Sequence, residues 1–273
     1  MKKVYICNDT ITGIFSALYD AWKESRDKDA GIALRGMLET QLFCEYTEVV
    51  EEERKALAVE RLIQNHLGYD AYWDIYHALL SEDPQKADAV FHVMQTARTI
   101  RNSKKVMEHL TDSYVIHVFE LSRKVANEAH QFLEFIRFRE LQNGVLFSEI
   151  TPKNRVLSCV ADHFSDRFPL ENWMIYDKTH EEMIVHQAKR RWVYVVGEEL
   201  NWKEVEKCSL AEEQFKNLWK VFFEAIAIQE RKNPVCQRTH LPIHFRQDMT
   251  EFQEKSSLTV ESYSHGMRRI AHS

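Results

Sequence analysis

Ser113-Tyr-Val-Ile-His-Val-Phe-Glu-Leu-Ser-Arg-Lys-Val-Ala-Asn-Glu-Ala-His-Gln-Phe-Leu-Glu-Phe-Ile-Arg-Phe-Arg-Glu-Leu-Gln-Asn143-Gly144 is the stretch whose reading decides the fold class. Within it Val115, Val118, Phe119, Ser122, Val125, Ala126, Ala129, Phe132, Leu133 and Ile136 recur at three- and four-residue spacing. That period lines apolar side chains along one side of an α-helix. Asn143-Gly144 closes the run as a C-cap does, because both residues accept the left-handed backbone that ends a helix. The stretch predicts a long central core helix of about eight turns at 3.6 residues per turn.

The texture changes on its C-terminal side. Val145 to Ile150, Trp173 to Tyr176, Met183 to His186 and Arg191 to Val196 are short β-type runs between polar turns, with a helix over about 153–167 between the first two. Strand, helix and three further strands predict a small, mostly antiparallel sheet packed on helices. Phe215, Leu218, Trp219, Phe222, Phe223 and Ile226 predict one more helix over about 210–231. On the N-terminal side, Lys3 to Cys7 reads as a strand, and Thr12-Gly13 opens an amphipathic helix. Leu42 to Val50 reads as a second strand able to pair with the first, giving a β-α-β start. Helices over about 51–67, 70–80 and 85–100 follow, the last set off by the turn Ser81-Glu-Asp-Pro84. The fold class expected is α+β and helix-rich. An N-terminal α/β region covers residues 1–80, a main α+β domain 85–250, and a polar, frayed tail 251–273.

Composition sets the bounds on function. Of 273 residues 44% are apolar and only seven are glycine, so the chain can bury a core and leaves few places for a backbone phosphate cradle. The net charge of −6 gives no global basic field, and a nucleic-acid partner must be met by a local patch. Glu39, Glu45, Glu48, Glu51, Glu52, Glu53 and Glu60 stand against only Arg54 and Lys55 between residues 39 and 60, as on a solvated helix face. Five cysteines, Cys7, Cys44, Cys159, Cys208 and Cys236, are scattered singly, with no pair at metal or cluster spacing. Thirteen histidines include no H-E-x-x-H, and Pro242 interrupts the His240/His244 pair. No cofactor is expected in the chain. Neither a signal-like run nor about 18 to 20 consecutive apolar residues is present, so a cytoplasmic protein without a membrane partner is expected.

The G-x-S-x-G elbow, the Walker loop and G-x-G-x-x-G are all absent from the sequence. What remains are three basic–aromatic constellations. In Phe135-Ile-Arg-Phe-Arg-Glu140, Arg137 and Arg139 flank the buried stripe if the helix runs on. Snorkelling arginines on a core helix and a phosphate or carboxylate clamp are the two readings. In His163-Phe-Ser-Asp-Arg-Phe-Pro169, His163 and Arg167 share a helix face, and a structural cap is the alternative. The third is Gln229-Glu-Arg-Lys-Asn-Pro234 through Arg238, His240 and His244 to Arg246, where Arg231, Lys232 and Arg238 sit among rings. Such rings beside cations suit unstacked bases.

Along the same stretches the sequence resembles a bacterial family of uncharacterised DNA-metabolism and DNA-repair proteins. These are encoded beside a radical-SAM DNA-repair-type protein, and in some relatives a similar domain is fused to a uracil-DNA glycosylase domain. The matching motifs are Glu128-Ala-His130, Phe135 to Glu140, Ile150-Thr-Pro-Lys153, His163 to Phe168, Asn172-Trp-Met-Ile-Tyr-Asp177, and Arg231 to Pro234 with Arg238. The opening Tyr5 to Tyr19 matches as well. After the final proline the family's aromatic pair is replaced by Ile243-His-Phe-Arg246, so Phe245 inherits no role.

The resemblance implies an accessory protein of DNA metabolism or repair acting with the radical-SAM enzyme. The iron–sulfur cluster and S-adenosylmethionine would lie in that partner. Arg137, Arg139, His163, Arg167, Arg231, Lys232 and Arg238 would contact nucleic acid, single-stranded or damaged DNA, or the partner itself. The alternative is a glycosylase-like hydrolase acting on an extruded base, with Asp162, His163 and Asp166 as candidates for its acid–base chemistry.

Overall fold

The computed structural model describes residues 2–24, 30–37, 42–197, 245, 248 and 249. The helix expected over 210–231, the basic residues Arg231, Lys232 and Arg238, and the tail 251–273 lie outside them. The class is α+β, as the sequence leads one to expect, although its sheets are partly parallel. The chain divides into two compact units, Met1–Glu128 and Ala129–Ser273.

The first unit is built on a three-stranded parallel sheet. Strand β1 (Lys2–Cys7) is central, with β2 (Ala30–Leu34) on one side and β3 (Cys44–Glu48) on the other. Parallel neighbours need a crossover, and helix α1 (Ile11–Glu24) supplies it between β1 and β2. Its turn positions Ile14, Phe15, Ala17, Leu18 and Ala21 are buried in the unit's core. Thr10 caps this helix by accepting from Gly13 N–H at 2.9 Å. Pairing of β3 with β1 (Val4 opposite Tyr46) fulfils the expected β-α-β start, and β2 is a strand the sequence reading lacks.

Helices α2 (Glu53–His66), α3 (Tyr69–Leu79) and α4 (Lys86–Thr99) follow, then a 3-10 turn at Ser103–Glu108 and helix α5 (Ser113–Phe135). Asp88 of α4 accepts the Ile32 N–H of β2 at 2.9 Å, fixing a strand that carries little β propensity of its own. Gly31 lets this happen, since a Cβ there would lie 2.9 Å from Lys2 Cε and 3.1 Å from Asp88 Oδ1. The turn at Pro84, expected as a domain border, joins two helices of the same unit; the division by packing falls inside α5.

Helix α5 stops at Phe135, short of the Asn143-Gly144 expected to cap it. The chain turns extended at Ile136 and forms β4 (Arg139–Glu140), so Arg137 and Arg139 do not flank a helical stripe. Two features end the helix. Arg137 NH1 donates to the Glu134 and Ile136 carbonyls at 2.8 and 3.2 Å, satisfying groups that otherwise lack partners. Asn143-Gly144 instead makes a hairpin turn, with Gly144 at φ 78° and its N–H on the Leu141 carbonyl at 2.9 Å.

The second unit's sheet runs β4, β5 (Leu146–Ile150), β6 (Trp173–Asp177), β7 (Glu182–His186), β8 (Val193–Val196). Three of the four pairings are antiparallel; β5 and β6 are parallel and joined by helix α6 (Leu157–Arg167). Fully buried Trp173 sits among rings, with Phe138, Phe164 and His186 at centroid distances of 6.3, 6.5 and 5.0 Å. No helix among the described residues is long and apolar enough to cross a membrane.

Candidate functional site

The β7–β8 turn carries Lys189-Arg190-Arg191-Trp192, the one run of three consecutive cations in the chain. The turn is held rigidly. Lys189 has φ 64°, a left-handed backbone that a lysine adopts only when its surroundings enforce it. Its N–H donates to the Pro169 carbonyl at 2.8 Å, and Ala188 N–H donates to Asn172 Oδ1 at 3.0 Å. Trp192 Nε1–H donates to Asp162 Oδ1 of α6 at 2.7 Å. Turn and helix thereby enclose a cleft of ≈ 810 Å³, bordered by Asp162, Ser165 and Asp166 on α6 and by the basic turn opposite.

His186 also lines the cleft. Its ring stacks on Trp173, and Nδ1 stands 3.0 Å from the Glu171 carbonyl. A carbonyl only accepts, so Nδ1 carries the proton there and Nε2 is the ring nitrogen left for another partner. Lys189, Arg190 and Arg191 are exposed and make no ion pair among the described residues, despite the two carboxylates across the cleft. Three cations with open donors, an indole and a buried imidazole form a concave site suited to phosphate and to a flat ring.

The residues singled out from the sequence are placed unevenly around this cleft. Asp162 and Asp166 line it. His163 and Arg167 lie on the next stripe of α6, with the His163 ring 5.1 Å from Phe164 and the Arg167 guanidinium 5.6 Å from the Phe168 ring. Both are exposed. Arg137 spends donors on the end of α5. Arg139 lies mostly inside the fold, 3.8 Å from Glu149 and 5.1 Å from the Phe147 ring. Sequence reasoning missed Lys189, Arg190 and Trp192. The β-type run over 191–196 took in Arg191 and Trp192, and Lys189 and Arg190 fell in the polar turn before it.

A second polar cluster occupies the opposite end of the same sheet. Asp177, fully buried, accepts from Thr179 N–H at 2.8 Å and His180 N–H at 3.2 Å, and its other oxygen meets His180 Nδ1 at 2.6 Å. Beside it in register, buried Glu182 is held by Arg155 and by the Tyr194 hydroxyl. Burial, with Glu182 adding to it, pushes the Tyr194 phenol up, so it remains a donor. These groups satisfy one another and pin the β6–β7 hairpin. No three His, Cys, Asp or Glu side chains are grouped to hold a metal ion among the described residues.

A family model described as a domain of unknown function (DUF4130) matches residues 84–251, more than half of the chain. No curated protein matches it. Both polar clusters of the second unit fall within the matched span, and the chain belongs to the DUF4130 family.

Proposed function

We propose that this protein is an accessory factor of DNA metabolism or repair that holds single-stranded or extruded nucleotides in the α6/β7–β8 cleft. It acts with a radical-SAM partner that carries the cluster and the radical chemistry. The observation that carries the reading is the turn Lys189–Trp192, with three exposed cations that make no ion pair among the described residues, beside an indole. A chain of net charge −6 repels phosphate at long range, so contact requires such a local concentration of donors. The family resemblance supplies the process and the partner; the cleft supplies a place for the nucleic acid. Binding is favoured over hydrolysis of an extruded base. Asp162 and Asp166 are exposed at the cleft edge, and the buried carboxylates Asp177 and Glu182 are spent on the hairpin.

The test is a salt titration of a fluorescein-labelled oligo(dT) with the full chain and with the Lys189→Ala/Arg190→Ala/Arg191→Ala variant. Removing one cation from a phosphate lowers the slope of log K against log salt by about 0.7 for a single strand. A triple variant with the wild-type slope would refute the cleft as the contact site.

A further inference from the structure

The first unit holds a surface that its own packing does not explain. Helix α3 buries Ala71, Ile75, Ala78 and Leu79. On a helix of 100° per residue, Tyr69, Tyr72, Trp73, Tyr76 and His77 fall within an arc of about 140° on the opposite side. Tyr69 and Trp73 face solvent, where polar residues are the rule, while Tyr72, Tyr76 and His77 are half-buried beside them and Tyr72 packs on the core. Tyr69 is 67% exposed and Trp73 52%. Four of these rings are in contact, Trp73 lying 5.5 Å from Tyr72, 5.6 Å from Tyr76 and 5.9 Å from His77. Burial holds His77 below its ordinary pKa against the pull of Asp74, so near neutral pH the stripe itself is uncharged.

Its border is acidic. Asp70 and Asp74, one turn apart, flank the stripe beyond His77, and Glu60 of α2 accepts the Tyr72 hydroxyl on the other side at 3.0 Å. Asp74 Oδ1 accepts the Ser122 hydroxyl at 2.9 Å; among the described residues neither Asp70 nor Asp74 has a cation partner, and no cation lies over Trp73. The charge decides the occupant. A nucleic acid stacked on these rings would bring its phosphates against three carboxylates. A second copy docked face to face would set Asp70 and Asp74 against their own counterparts. A cationic segment meets both features at once, because guanidinium stacks on indole and phenol faces while pairing with carboxylates.

We propose that the aromatic face of α3 is a docking site for an arginine-bearing segment of a partner protein. The proposal is independent of the nucleic-acid cleft. The surface lies outside the family match at 84–251, so it is a property of this chain's N-terminal unit.

The test uses the full chain, a fluorescein-labelled peptide of alternating Arg and Gly, and labelled oligo(dT), at low salt. Trp73→Ala should weaken the peptide by about tenfold. Asp70→Asn should weaken it by a smaller factor. Glu45→Gln, an equal charge change at an exposed position of β3, should leave it unaltered. Melting curves establish that each variant is folded. Oligo(dT) affinity should be the same for Trp73→Ala as for wild type. The proposal is overturned if the peptide fails to bind wild type, or binds Trp73→Ala and wild type alike. It is equally overturned if Glu45→Gln matches Asp70→Asn, if Trp73→Ala abolishes oligo(dT) binding, or if the chain self-associates and Trp73→Ala dissociates it.

Discussion

The two units each set an aromatic group at the surface and surround it with opposite charge. In the first, the rings of α3 are bordered by Asp70, Asp74 and Glu60. In the second, Trp192 follows Lys189, Arg190 and Arg191 on one turn. Rings alone do not choose a partner, since π-faces accept bases, guanidinium groups and other rings alike. The charge around them does. We propose that one face takes cations and the other phosphate, within a chain whose net charge of −6 describes neither. An average over the sequence hides this separation.

The comparison also extends to how each unit is held together, and the largest expected effects lie there. Trp173→Ala removes the fully buried centre of the second unit's ring cluster and should cost about 3 to 5 kcal/mol. Thermal melts followed by near-UV circular dichroism would show it, and a small change would place the core elsewhere. The first unit's counterpart is Lys86, 1% exposed, with Nζ 2.6 Å from both Asp9 Oδ1 and the Ser81 carbonyl. Lys86→Ala takes the cation from Asp9 and the donor from the Ser81 carbonyl, and should cost about 3 kcal/mol by chemical denaturation. If each unit holds its own core, amide exchange should rise mainly in the unit that carries the substitution.

Arg137→Ala should have a smaller effect. Its guanidinium closes the end of α5, so a destabilisation of about 0.3 to 1 kcal/mol is expected, with an unchanged salt slope for oligo(dT). A lowered slope at constant stability would return Arg137 to the nucleic-acid surface.

The smallest effect concerns pH and the first unit alone. The Asp88 hydrogen bond, opposed by burial, raises the His92 pKa above 6.5. A raised histidine stabilises fully below its unfolded value and loses that contribution as pH rises through its folded value. The stability of wild type should therefore decline from about pH 6.5 upward more than that of His92→Gln, measured by melts across the range. Parallel profiles would remove the His92–Asp88 contact from the account.

Much of this architecture was legible because period and burial agree. α2, α3 and α4 emerge near their expected limits, and β5 to β8 lie on the expected runs, with β6 and β7 each one residue longer. The misses share a cause, a local structure decided by distant residues. Ala30-Gly-Ile-Ala-Leu34 is a strand because α1 returns the chain to β1 and Asp88, 56 residues from Ile32, accepts its amide. The end of α5 depends on where one arginine places its donors, which spacing does not record. At the cleft, Asp162 and Asp166 were legible as candidates. The turn facing them was not, since a basic run beside a strand carries no sign of which helix it meets. The aromatic face of α3 was in plain view as Tyr69-Asp-Ala-Tyr-Trp-Asp-Ile-Tyr-His77. Its significance needed the knowledge that Ala71 and Ile75 take the core side.

The central claim, two surfaces of opposite charge preference on two units, is tested most directly by a crossed titration. Wild type, Trp73→Ala and the Lys189→Ala/Arg190→Ala/Arg191→Ala variant are each titrated with oligo(dT) and with the Arg–Gly peptide in one buffer. The account predicts that the triple variant weakens oligo(dT) and keeps the peptide, while Trp73→Ala weakens the peptide about tenfold and keeps oligo(dT). Equal weakening of both ligands in either variant, with the fold intact, would contradict it.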